Sequence, residues 1–522
     1  MNDRHSGPDP LVTLIIATYN RRRYLPESLR SAVNQTYSNL QILVARDGGD
    51  PVDDIVASFD DPRIEFLDRD ENRGYAATLN ETMKHVEGKY VAYLGDDDFH
   101  YPEHVSLLAR SLEENPEYGA AYSNLVRTTF RLGPDGKRFA VSKRLEIRRD
   151  FDRMFMFYFN QALGGSLMHR RDLLERTGPY NEQVKVLIDW DMTRRLSFFT
   201  DFLHVDRVTG EYCIPEDKAF SDRISNRMRQ DPTEFNRHFF SIRTARPAKP
   251  WPRVRDLSLI LAPDHMTQAV ADTITSCVSR TCWPFLIYLA MPAEELAKLK
   301  VEDFENSVVR VPTPPGAPEP ARVDAALAAC EGEYAAIVPV GLPMGDLWVE
   351  HPLNKLMRAE RPKVGFLIAH STPQRFAAVF RKEELTAARS RYPALSVFSA
   401  VTADGIEMRF PRPEDSPLHF DTLLHEALRM EEEGDWRSAV RMYENCRQQF
   451  ANDTWMNERI AWALWELGSH DDVLLDLCRQ IRQKVPTVES RLLEAQVHRR
   501  SGRTEDAIRE LERARDMLRW AV

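Results

Sequence analysis

The sequence lacks the features of a secreted or membrane-spanning protein. Its 522 residues contain six scattered cysteines with no close pair, which argues against a disulfide framework and a cysteine metal site. The first ten residues, MNDRHSGPDP, hold no apolar signal core, and no apolar run approaches the ~20 residues that span a bilayer. We therefore expect a cytoplasmic protein with at most peripheral contact with the inner membrane.

An excess of positive charge is also absent. The chain has 80 acidic and 70 basic residues and a net charge of −10, so its bulk charge gives no case for nucleic-acid binding. The apolar fraction of 43% is that of a globular protein rather than a disordered one. The length exceeds what one hydrophobic core usually fills, and it predicts about three domains.

The N-terminal part alternates apolar strands with helices. Continuous apolar runs at 11–17, 40–45 and 90–94 are typical of strands that are buried on both faces. Helical patterns lie between them, near 25–34 and 75–86. This alternation predicts an α/β fold with a parallel sheet and right-handed crossovers.

Polar residues collect where these strands end. Thr18–Asn20 follow the first strand, Asp47 the second, and Asp96–Asp98 the strand at 90–94. The carboxyl ends of strands are where open α/β sheets bind ligands, and adjacent carboxylates suit Mg²⁺ or Mn²⁺, often bridging to a diphosphate. The alternative is a solvated acidic turn before the next helix, but such a turn needs no polar residues at neighbouring strand ends.

This combination resembles the inverting family 2 glycosyltransferases with the GT-A fold. The matching segments are VTLIIATYNRRRYLPESLRSAVNQTY, ILVARDGG, NRGYAATLN and YVAYLGDDDFHYPEHV. The resemblance implies a GT-A nucleotide-sugar-binding domain over 1–245. It also implies transfer of a sugar from a nucleotide-diphosphate sugar to a glycan or protein acceptor, in bacterial surface polysaccharide or glycoprotein synthesis.

The resemblance implies roles in donor binding for residues at the strand ends. Thr18 and Asn20 match positions beside the nucleotide, and Tyr19 would stack near the base. Asp47 matches a carboxylate that accepts from the base or ribose, and Arg73 stands where a basic residue meets the diphosphate. The alternative for Tyr19 is packing, and the alternative for Arg73 is a surface charge.

The resemblance also implies a divalent cation, Mn²⁺ or Mg²⁺. Asp96 and Asp98 match the DXD pair, with Asp98 as the expected direct metal ligand and Asp96 nearer the ribose. Asp97, between them, is assigned to the donor-nucleotide site.

Asp189 occupies the position of the family's general base. Ile188 precedes it, so the acidic pair that opens this helix in the family is incomplete. Inverting transfer needs one carboxylate to take the acceptor proton and a cation to neutralise the leaving diphosphate. Asp191 is the second catalytic candidate, and the alternative for both residues is helix capping. His204 and Asp217 are candidates for assisting the metal or the diphosphate, with a structural role as the alternative.

The segment 256–415 repeats the pattern of the first domain. SCVSRTCWPFLIYLA begins 245 residues after SAVNQTYSNLQILVA (276 against 31), and EGEYAAIVPV begins 244 after EGKYVAYLGD (331 against 87). A nearly constant offset indicates an internal duplication. Because Val340–Leu342 stand opposite Asp96–Asp98, we expect a degenerate GT-A-like domain without the DXD motif.

The segment 418–522 has a third pattern. Gly434, Gly468 and Gly502 are spaced by 34 residues, the tetratricopeptide period, and the segments around them resemble that repeat. We expect an all-α helical-repeat domain that binds a partner protein. A packing or dimerisation element is the alternative.

Two other functions stay open. The first is a nonenzymatic scaffold in which both GT-A-like units bind partners. The second is a nucleotidyltransferase, an enzyme that also builds a metal site on an α/β sheet. The carboxylates Asp96–Asp98 and Asp189 argue against the scaffold, and the segment around Asp189 fits the glycosyltransferase better.

Overall fold

The computed structural model covers the residues on which the fold and the candidate site depend. The described residues are 9–145, 149–216, 232–299, 305–345, 347–368, 376–411, 423–424, 426–428, 430–431, 433–449, 454–484 and 487–518.

Two structural units divide the chain. The first comprises Met1–Asp152, Asn160–His238 and Phe420–Val522, and the second comprises Arg153–Phe159 and Phe239–His419. The C-terminal helices thus group with the first unit instead of standing as a third one.

A nine-stranded mixed sheet forms the centre of the first unit. Its strands in chain order are β1 (Val12–Thr18), β2 (Leu40–Arg46), β3 (Ile64–Leu67), β4 (Tyr90–Tyr93), β5 (Phe99–His100), β6 (Ala120–Leu132), β7 (Arg138–Leu145), β8 (Leu167–Arg170) and β9 (Phe202–Pro215). The spatial order is β3-β2-β1-β4-β8-β6-β9-β5, with β7 paired to β6. β1 to β4 form a parallel block, and β8 runs antiparallel to β4.

The position of β1 at the centre of the parallel block explains its continuous apolar sequence. Val12 lies opposite both Leu40 and Tyr90, one in each neighbouring strand. Leu14 and Ile16 are fully buried in the same core cluster as Leu29 and Leu108 of the flanking helices. A strand with a neighbour on each side must present apolar side chains to the layers that cover the sheet.

Helices pack against this sheet. They are Leu25–Val33, Asp53–Ala57, Tyr75–Thr82, His104–Glu114, Leu173–Thr177 and Ile188–Leu196. The helix predicted near 75–86 is shorter than expected, since it ends at Thr82 and continues as the 3₁₀ turn Met83–His85. Such tightened last turns are frequent at helix ends.

The C-terminal part of the first unit is helical. Its described helices include Trp436–Gln449, Thr454–Glu466, Asp471–Lys484, Val488–Arg500 and Thr504–Leu518. Gly434, Gly468 and Gly502 have φ of +78°, +74° and +73°, the left-handed region that glycine adopts without strain at a helix end. Three of these helices, Thr454–Glu466, Val488–Arg500 and Thr504–Leu518, lie against β7.

A seven-stranded sheet forms the centre of the second unit. Its strands are β10 (Leu257–Leu261), β11 (Phe285–Pro292), β12 (Val308–Thr313), β13 (Tyr334–Ile337), β14 (Val364–Leu367), β15 (Ala378–Arg381) and β16 (Glu407–Arg409). Their order is β12-β11-β10-β13-β15-β14-β16, in which β10 to β13 are parallel and β15 is antiparallel to β13. The first five positions therefore have the same sequence order and directions as β3-β2-β1-β4-β8.

The helices of the second unit include one that comes from the middle of the first. They include Arg153–Tyr158, Gln268–Arg280, Ala293–Leu296, Glu319–Ala329, Glu350–Met357, Lys382–Arg391 and Val397–Ala403. Phe157, in the first of these helices, packs edge-on against Trp283, with ring centroids 5.1 Å apart.

Among the helices of the described ranges, none combines the length and the apolar character needed to cross a lipid bilayer.

Candidate active site

The turn after β1 presents an aromatic side chain and an amide at the sheet edge. Thr18 is buried, and its hydroxyl has no hydrogen-bond partner in the described part of the chain. Tyr19 is 43% exposed, and Asn20 has φ of +53°. Asn20 Oδ1 accepts from the Asp50 amide at 2.9 Å, and a Cβ on Gly49 would lie 2.1 Å from that same oxygen. Gly49 is thus required for the close approach of this turn to the loop after β2.

Asp47 holds the loop that follows β3. The backbone amides of Arg73 and Gly74 each donate to its carboxylate at 2.9 Å, and Asn72 Nδ2 donates at 3.0 Å. Arg69 Nη1 lies 3.4 Å from Asp47 Oδ1. The carboxylate therefore fixes the backbone of residues 72–74, and the Arg73 side chain remains exposed. The structure gives Asp47 a loop-organising role in addition to the nucleotide contact predicted for it.

The three consecutive carboxylates follow β4. Asp96 and Asp97 are buried, and Asp98 is partly exposed. Arg21 forms an ion pair with Asp97 Oδ2 and lies 3.4 Å from Asp96 Oδ1, so it neutralises part of the cluster. Asp98 Oδ1 accepts from the backbone amide of Cys213 in β9 at 2.8 Å. The sequence analysis missed Arg21, although its position directly after Asn20 placed it at the same sheet edge.

The donor set fits a cation shared with a substrate. No group of three or more His, Cys, Asp or Glu side chains that would hold a metal ion by itself occurs among the residues with described positions. Mg²⁺ is commonly held by one or two carboxylates together with substrate phosphates. Asp96 and Asp98 supply two carboxylates at one strand end, which suits that arrangement and not an all-protein cage.

Asp189 stands at the first turn of the helix Ile188–Leu196. Asn160 Nδ2 donates to Asp189 Oδ2 at 2.9 Å, the Gly164 amide donates to the same oxygen at 3.2 Å, and the Trp190 amide donates to Oδ1 at 2.9 Å. Burial raises the pKa of Asp189 above its usual value, although these hydrogen bonds oppose the shift. Leu187, which caps the helix, has φ of +57°, a strained conformation for a non-glycine residue.

Tyr75 connects the two groups of carboxylates. Desolvation is the main cause that raises the pKa of its phenol. The charges of Tyr180, Asp189, Asp96 and Asp98 raise it further. Its side chain is nevertheless 42% exposed. The charges of Asp189, Asp96 and Asp98 all act on this one phenol, so the end of β4 and the start of the helix Ile188–Leu196 lie near each other. The segment NRGYAATLN contained Tyr75, but only the fold brings it near Asp189.

Asp191 has different partners from Asp189, and its catalytic role stays a prediction. Its carboxylate is buried in an ion pair with Arg195, with Asp191 Oδ2 2.6 Å from Arg195 Nη2. Arg195 Nη1 also donates to the carbonyls of Thr177 at 2.7 Å and Pro179 at 3.0 Å. Asp191 therefore fixes the arginine that holds the turn before this helix. The i, i+4 spacing of Asp191 and Arg195 was the sequence signal for the pair.

We expect Asp191→Ala to destabilise the first unit strongly. Removing one partner leaves Arg195 as an uncompensated buried charge, which costs about 3–5 kcal/mol. Denaturant unfolding monitored by tryptophan fluorescence measures this loss. The matched control is Glu81→Ala, which breaks the exposed pair with Lys84 and should leave the stability nearly unchanged, because solvent screens such a pair. Equal effects of the two variants would contradict the assignment.

His204 has a structural role. Its Nε2 lies 2.9 Å from Asn124 Oδ1, its Nδ1 lies 2.9 Å from Asp150 Oδ1, and its ring stacks on Tyr122 with centroids 5.0 Å apart. These contacts favour the structural alternative over a role at the metal. Asp217, the other assisting candidate, lies outside the described residues.

Comparison with known proteins identifies the N-terminal domain. Residues 13–168 match the family model described as Glycosyl transferase family 2. The uncharacterized glycosyltransferase YwdF of Bacillus subtilis is 28% identical over 216 residues, which are 41% of this chain and 76% of that protein. The uncharacterized glycosyltransferase RP339 of Rickettsia prowazekii is 30% identical over 191 residues, covering 35% of this chain and 57% of that protein.

Solved structures give a weaker likeness. S. aureus TarS 1-349 in complex with UDP-GlcNAc aligns with a TM-score of 0.36 and 18% identity, covering 45% of this chain and 65% of that one. The N-terminal part of the chain is thus similar to a glycosyltransferase family model and to proteins named glycosyltransferases.

Proposed function

We propose that the first unit transfers a sugar, with inversion, from a nucleotide-diphosphate sugar to an acceptor hydroxyl, with Asp189 as the general base. The single observation that carries this proposal is that the two groups of carboxylates are brought together: His100, two residues after Asp98, contacts Gly165, and the neighbouring Gly164 amide donates to Asp189. We assign the space between them, near Tyr75, as the substrate cleft. One end of this cleft offers hard oxygen ligands for a cation and a diphosphate, and the other offers a desolvated carboxylate.

Donor binding is assigned to the strand ends. The exposed ring of Tyr19 stacks on the base, and Thr18 and Asn20 lie beside the nucleotide. The Thr18 hydroxyl, buried and unpartnered among the described residues, supports this assignment because such a group normally finds a hydrogen bond. Asp47 acts indirectly. Its bond with the Arg73 amide holds the loop from which the Arg73 side chain is proposed to meet the diphosphate.

Proton transfer is assigned to Asp189. Its raised pKa makes the carboxylate a better proton acceptor than an ordinary aspartate, while the amides of Gly164 and Trp190 and the Asn160 side chain keep it oriented. No covalent enzyme nucleophile is required, because inversion follows from a single displacement by the acceptor hydroxyl.

Neutralisation of the charge on the leaving diphosphate is assigned to the end of the cleft at Asp96 and Asp98. Asp96 and Asp98 would hold Mn²⁺ or Mg²⁺, which supplies a counter-charge for the leaving diphosphate when bound. Arg21 adds a permanent positive charge there through its contacts with Asp96 and Asp97. Asp97 thereby contributes to the donor site by holding Arg21.

We propose that the second unit is a degenerate copy of the first. The equal order and directions of five strands in each sheet support this. Val340, Gly341 and Leu342 replace the three carboxylates, so no donor binding is assigned to it. A cleft of about 360 Å³ remains near the ends of β10 and β13, with a largely apolar lining that includes Val338 and Phe376. Holding an acceptor or a partner is the role proposed for this unit.

The C-terminal helices are proposed to be tetratricopeptide-like repeats that bind a protein partner. The three glycines at left-handed φ between helices, spaced by 34 residues, support the repeat. A cytoplasmic location, with at most peripheral contact with the inner membrane, is proposed with them. Bacterial surface polysaccharide or glycoprotein synthesis remains the proposed setting.

The test is a screen of the purified full-length chain for release of a nucleoside diphosphate. The panel contains UDP- and GDP-sugars, including UDP-GlcNAc and GDP-mannose, each with Mg²⁺, with Mn²⁺ or with EDTA. We expect at least one donor to be turned over and EDTA to abolish the turnover. A nonenzymatic scaffold would turn over none, and a nucleotidyltransferase would instead release pyrophosphate from a nucleoside triphosphate and a sugar phosphate.

We expect deletion of residues 420–522 to lower the melting temperature of the first unit by about 5 °C or more, because it uncovers β7. Differential scanning fluorimetry measures the change. The control is Leu511→Ala, a side chain that is 49% exposed and should leave the melting temperature unchanged. An unchanged melting temperature in the deletion would leave partner binding as the only role for the tail.

A further inference from the structure

A chain of contacts links β5, the strand that follows the acidic cluster, to Asp189, the proposed base. His100 Nε2 lies 2.7 Å from the carbonyl oxygen of Gly165. A carbonyl oxygen only accepts, so Nε2 carries the proton and donates. The amide of the preceding residue, Gly164, donates to Asp189 Oδ2 at 3.2 Å, and a Cβ on Gly164 would lie 3.4 Å from Asp189 Cβ. The loop that contains Gly164 and Gly165 is therefore in contact with both His100 and Asp189.

Two residues of this loop have no side chain with which to fix its orientation, and Ser166 Oγ donates only within the turn, to the Leu163 carbonyl at 2.8 Å. Gly164 and Gly165 begin the 3₁₀ turn Gly164–Ser166, and glycine backbones have the widest conformational freedom of any residue. The turn is closed by the Ser166 amide, which donates to the Leu163 carbonyl at 2.9 Å. The bond from His100 is the contact that ties this turn to β5.

We infer that His100 is a positioning residue for Asp189, which it holds by orienting the Gly164–Gly165 backbone. This inference rests on the proposed function, because it assumes that Asp189 takes the acceptor proton.

The His100 ring is itself held in place. It stacks on His104, with ring centroids 3.6 Å apart and planes at 16°, and His104 Nδ1 lies 2.6 Å from Thr209 Oγ1. His100 Nδ1 has no hydrogen-bond partner within the described ranges, so Nε2 makes its one directional side-chain contact there. Because His100 follows Asp98 by two residues, one short segment supports both ends of the cleft.

The pH dependence of turnover offers a specific readout. A hydrogen bond from Gly164 stabilises the charged form of Asp189, so loosening it should raise the pKa of the base further. Titratable groups whose charges interact with Asp189 include the phenols of Tyr75 and Tyr180. Burial raises the pKa of both phenols, so they stay neutral over the acidic pH range. The fall of turnover in that range, called the acid limb below, is therefore not caused by them. The Asp191–Arg195 ion pair lies on the same helix as Asp189.

The experiment separates the contribution of the His100 N–H from that of its aromatic ring. His100→Phe keeps an aromatic ring for stacking on His104 but has no N–H to donate. His100→Gln keeps an N–H near the position of Nε2 but has no ring. His104→Phe is the matched control, since it makes the same chemical change in the stacked ring that does not contact Gly165. Each variant is assayed with the donor selected by the UDP- and GDP-sugar screen.

We expect His100→Phe to lower kcat by about tenfold or more and to move the acid limb upward by about half a pH unit or more. The KM for the donor should stay within about twofold, since the N–H of His100 is used on Gly165, in the loop that holds Asp189. His100→Gln should restore most of kcat and the original acid limb, and His104→Phe should leave the limb in place.

Several outcomes would overturn the inference. They are a His100→Phe profile equal to wild type, a His100→Gln variant as impaired as His100→Phe, or a donor KM that rises while kcat is unchanged. If His100→Phe does not fold by circular dichroism, His100→Met takes its place and is judged by the same criteria.

Asp189→Asn, assayed in parallel, distinguishes failure of this inference from failure of the proposed function. Full turnover by Asp189→Asn removes the base assignment whatever the His100 variants do. Loss of turnover in Asp189→Asn together with a wild-type His100→Phe profile removes only the positioning role.

Discussion

Replacement of Asp189 by asparagine is expected to lower turnover by about 10²-fold or more and to leave donor binding nearly intact. Asparagine has almost the same shape and keeps one oxygen, so the donated bonds from Asn160 and Gly164 to the Oδ2 position can persist. It cannot take a proton from the acceptor hydroxyl at working pH. Nucleoside diphosphate release gives kcat, and calorimetric titration of the donor in the presence of metal gives its affinity.

Asp191→Asn is the internal comparison for this experiment. Asp191 is committed to Arg195, so its substitution should reduce turnover less than Asp189→Asn does, and through stability. If Asp191→Asn is the more damaging for kcat in a protein that remains folded, the base is Asp191 and the assignment to Asp189 is wrong.

The wild-type enzyme should also lose turnover on acidification earlier than an ordinary aspartate base would. Burial raises the pKa of Asp189, and only the ionised form accepts a proton, so kcat falls as the pH drops through this raised value. The native state binds this proton more tightly than the unfolded chain does. The free energy of unfolding contributed by Asp189 is thus greatest at low pH and is lost as the pH rises through the raised pKa. Asp189→Asn should consequently show no loss of stability near pH 8 relative to wild type.

Asp98→Ala is expected to abolish metal-dependent turnover and to weaken nucleotide binding in the presence of metal. The physical reason is the loss of the hard oxygen ligand at the end of β4, where a cation would meet the diphosphate. Calorimetric titration of UDP and GDP, with Mn²⁺ and with EDTA, measures the metal-dependent part of the affinity directly.

A second substitution at the same position separates the metal from the fold. Alanine also removes the oxygen that accepts from the Cys213 amide, and this loss alone can disturb β9. Asp98→Asn keeps an oxygen for that hydrogen bond but has no negative charge. We expect both variants to lose turnover and the asparagine variant to keep the wild-type melting temperature. Wild-type turnover with unchanged metal dependence in Asp98→Asn would show that Asp98 is not the ligand.

The sequence predicted the strands of the first sheet with good accuracy because their physical cause is local. The runs at 11–17, 40–45 and 90–94 are apolar at nearly every position, as strands covered on both faces must be, and the observed β1, β2 and β4 begin and end close to them. The segment Gly133–Gly136, with the sequence GPDG, is also of a kind that forms turns for local reasons, and it joins β6 to β7 as a hairpin.

Contacts between distant segments were not readable. The sequence placed Asp189 and Asp191 on one helix but did not show that Asp189 meets Asn160 and Gly164 while Asp191 is buried against Arg195. Two carboxylates only two residues apart point in different directions on a helix, and the surroundings of each depend on the loops that fold onto that helix.

The sequence by itself determined the α/β class, the strand-end positions of Thr18, Asp47 and Asp96–Asp98, and the 34-residue period of the tail, because each follows from periodicity and local residue type. The tertiary structure alone decided that the tail lies against β7 and that Arg153–Phe159 belongs to the second unit. It also decided that the charges of Asp96, Asp98 and Asp189 all act on Tyr75 and that His100 contacts Gly165, next to the glycine that donates to Asp189. These facts depend on which surfaces meet after the chain has folded, and neither the spacing nor the composition of the contacting segments carries that information.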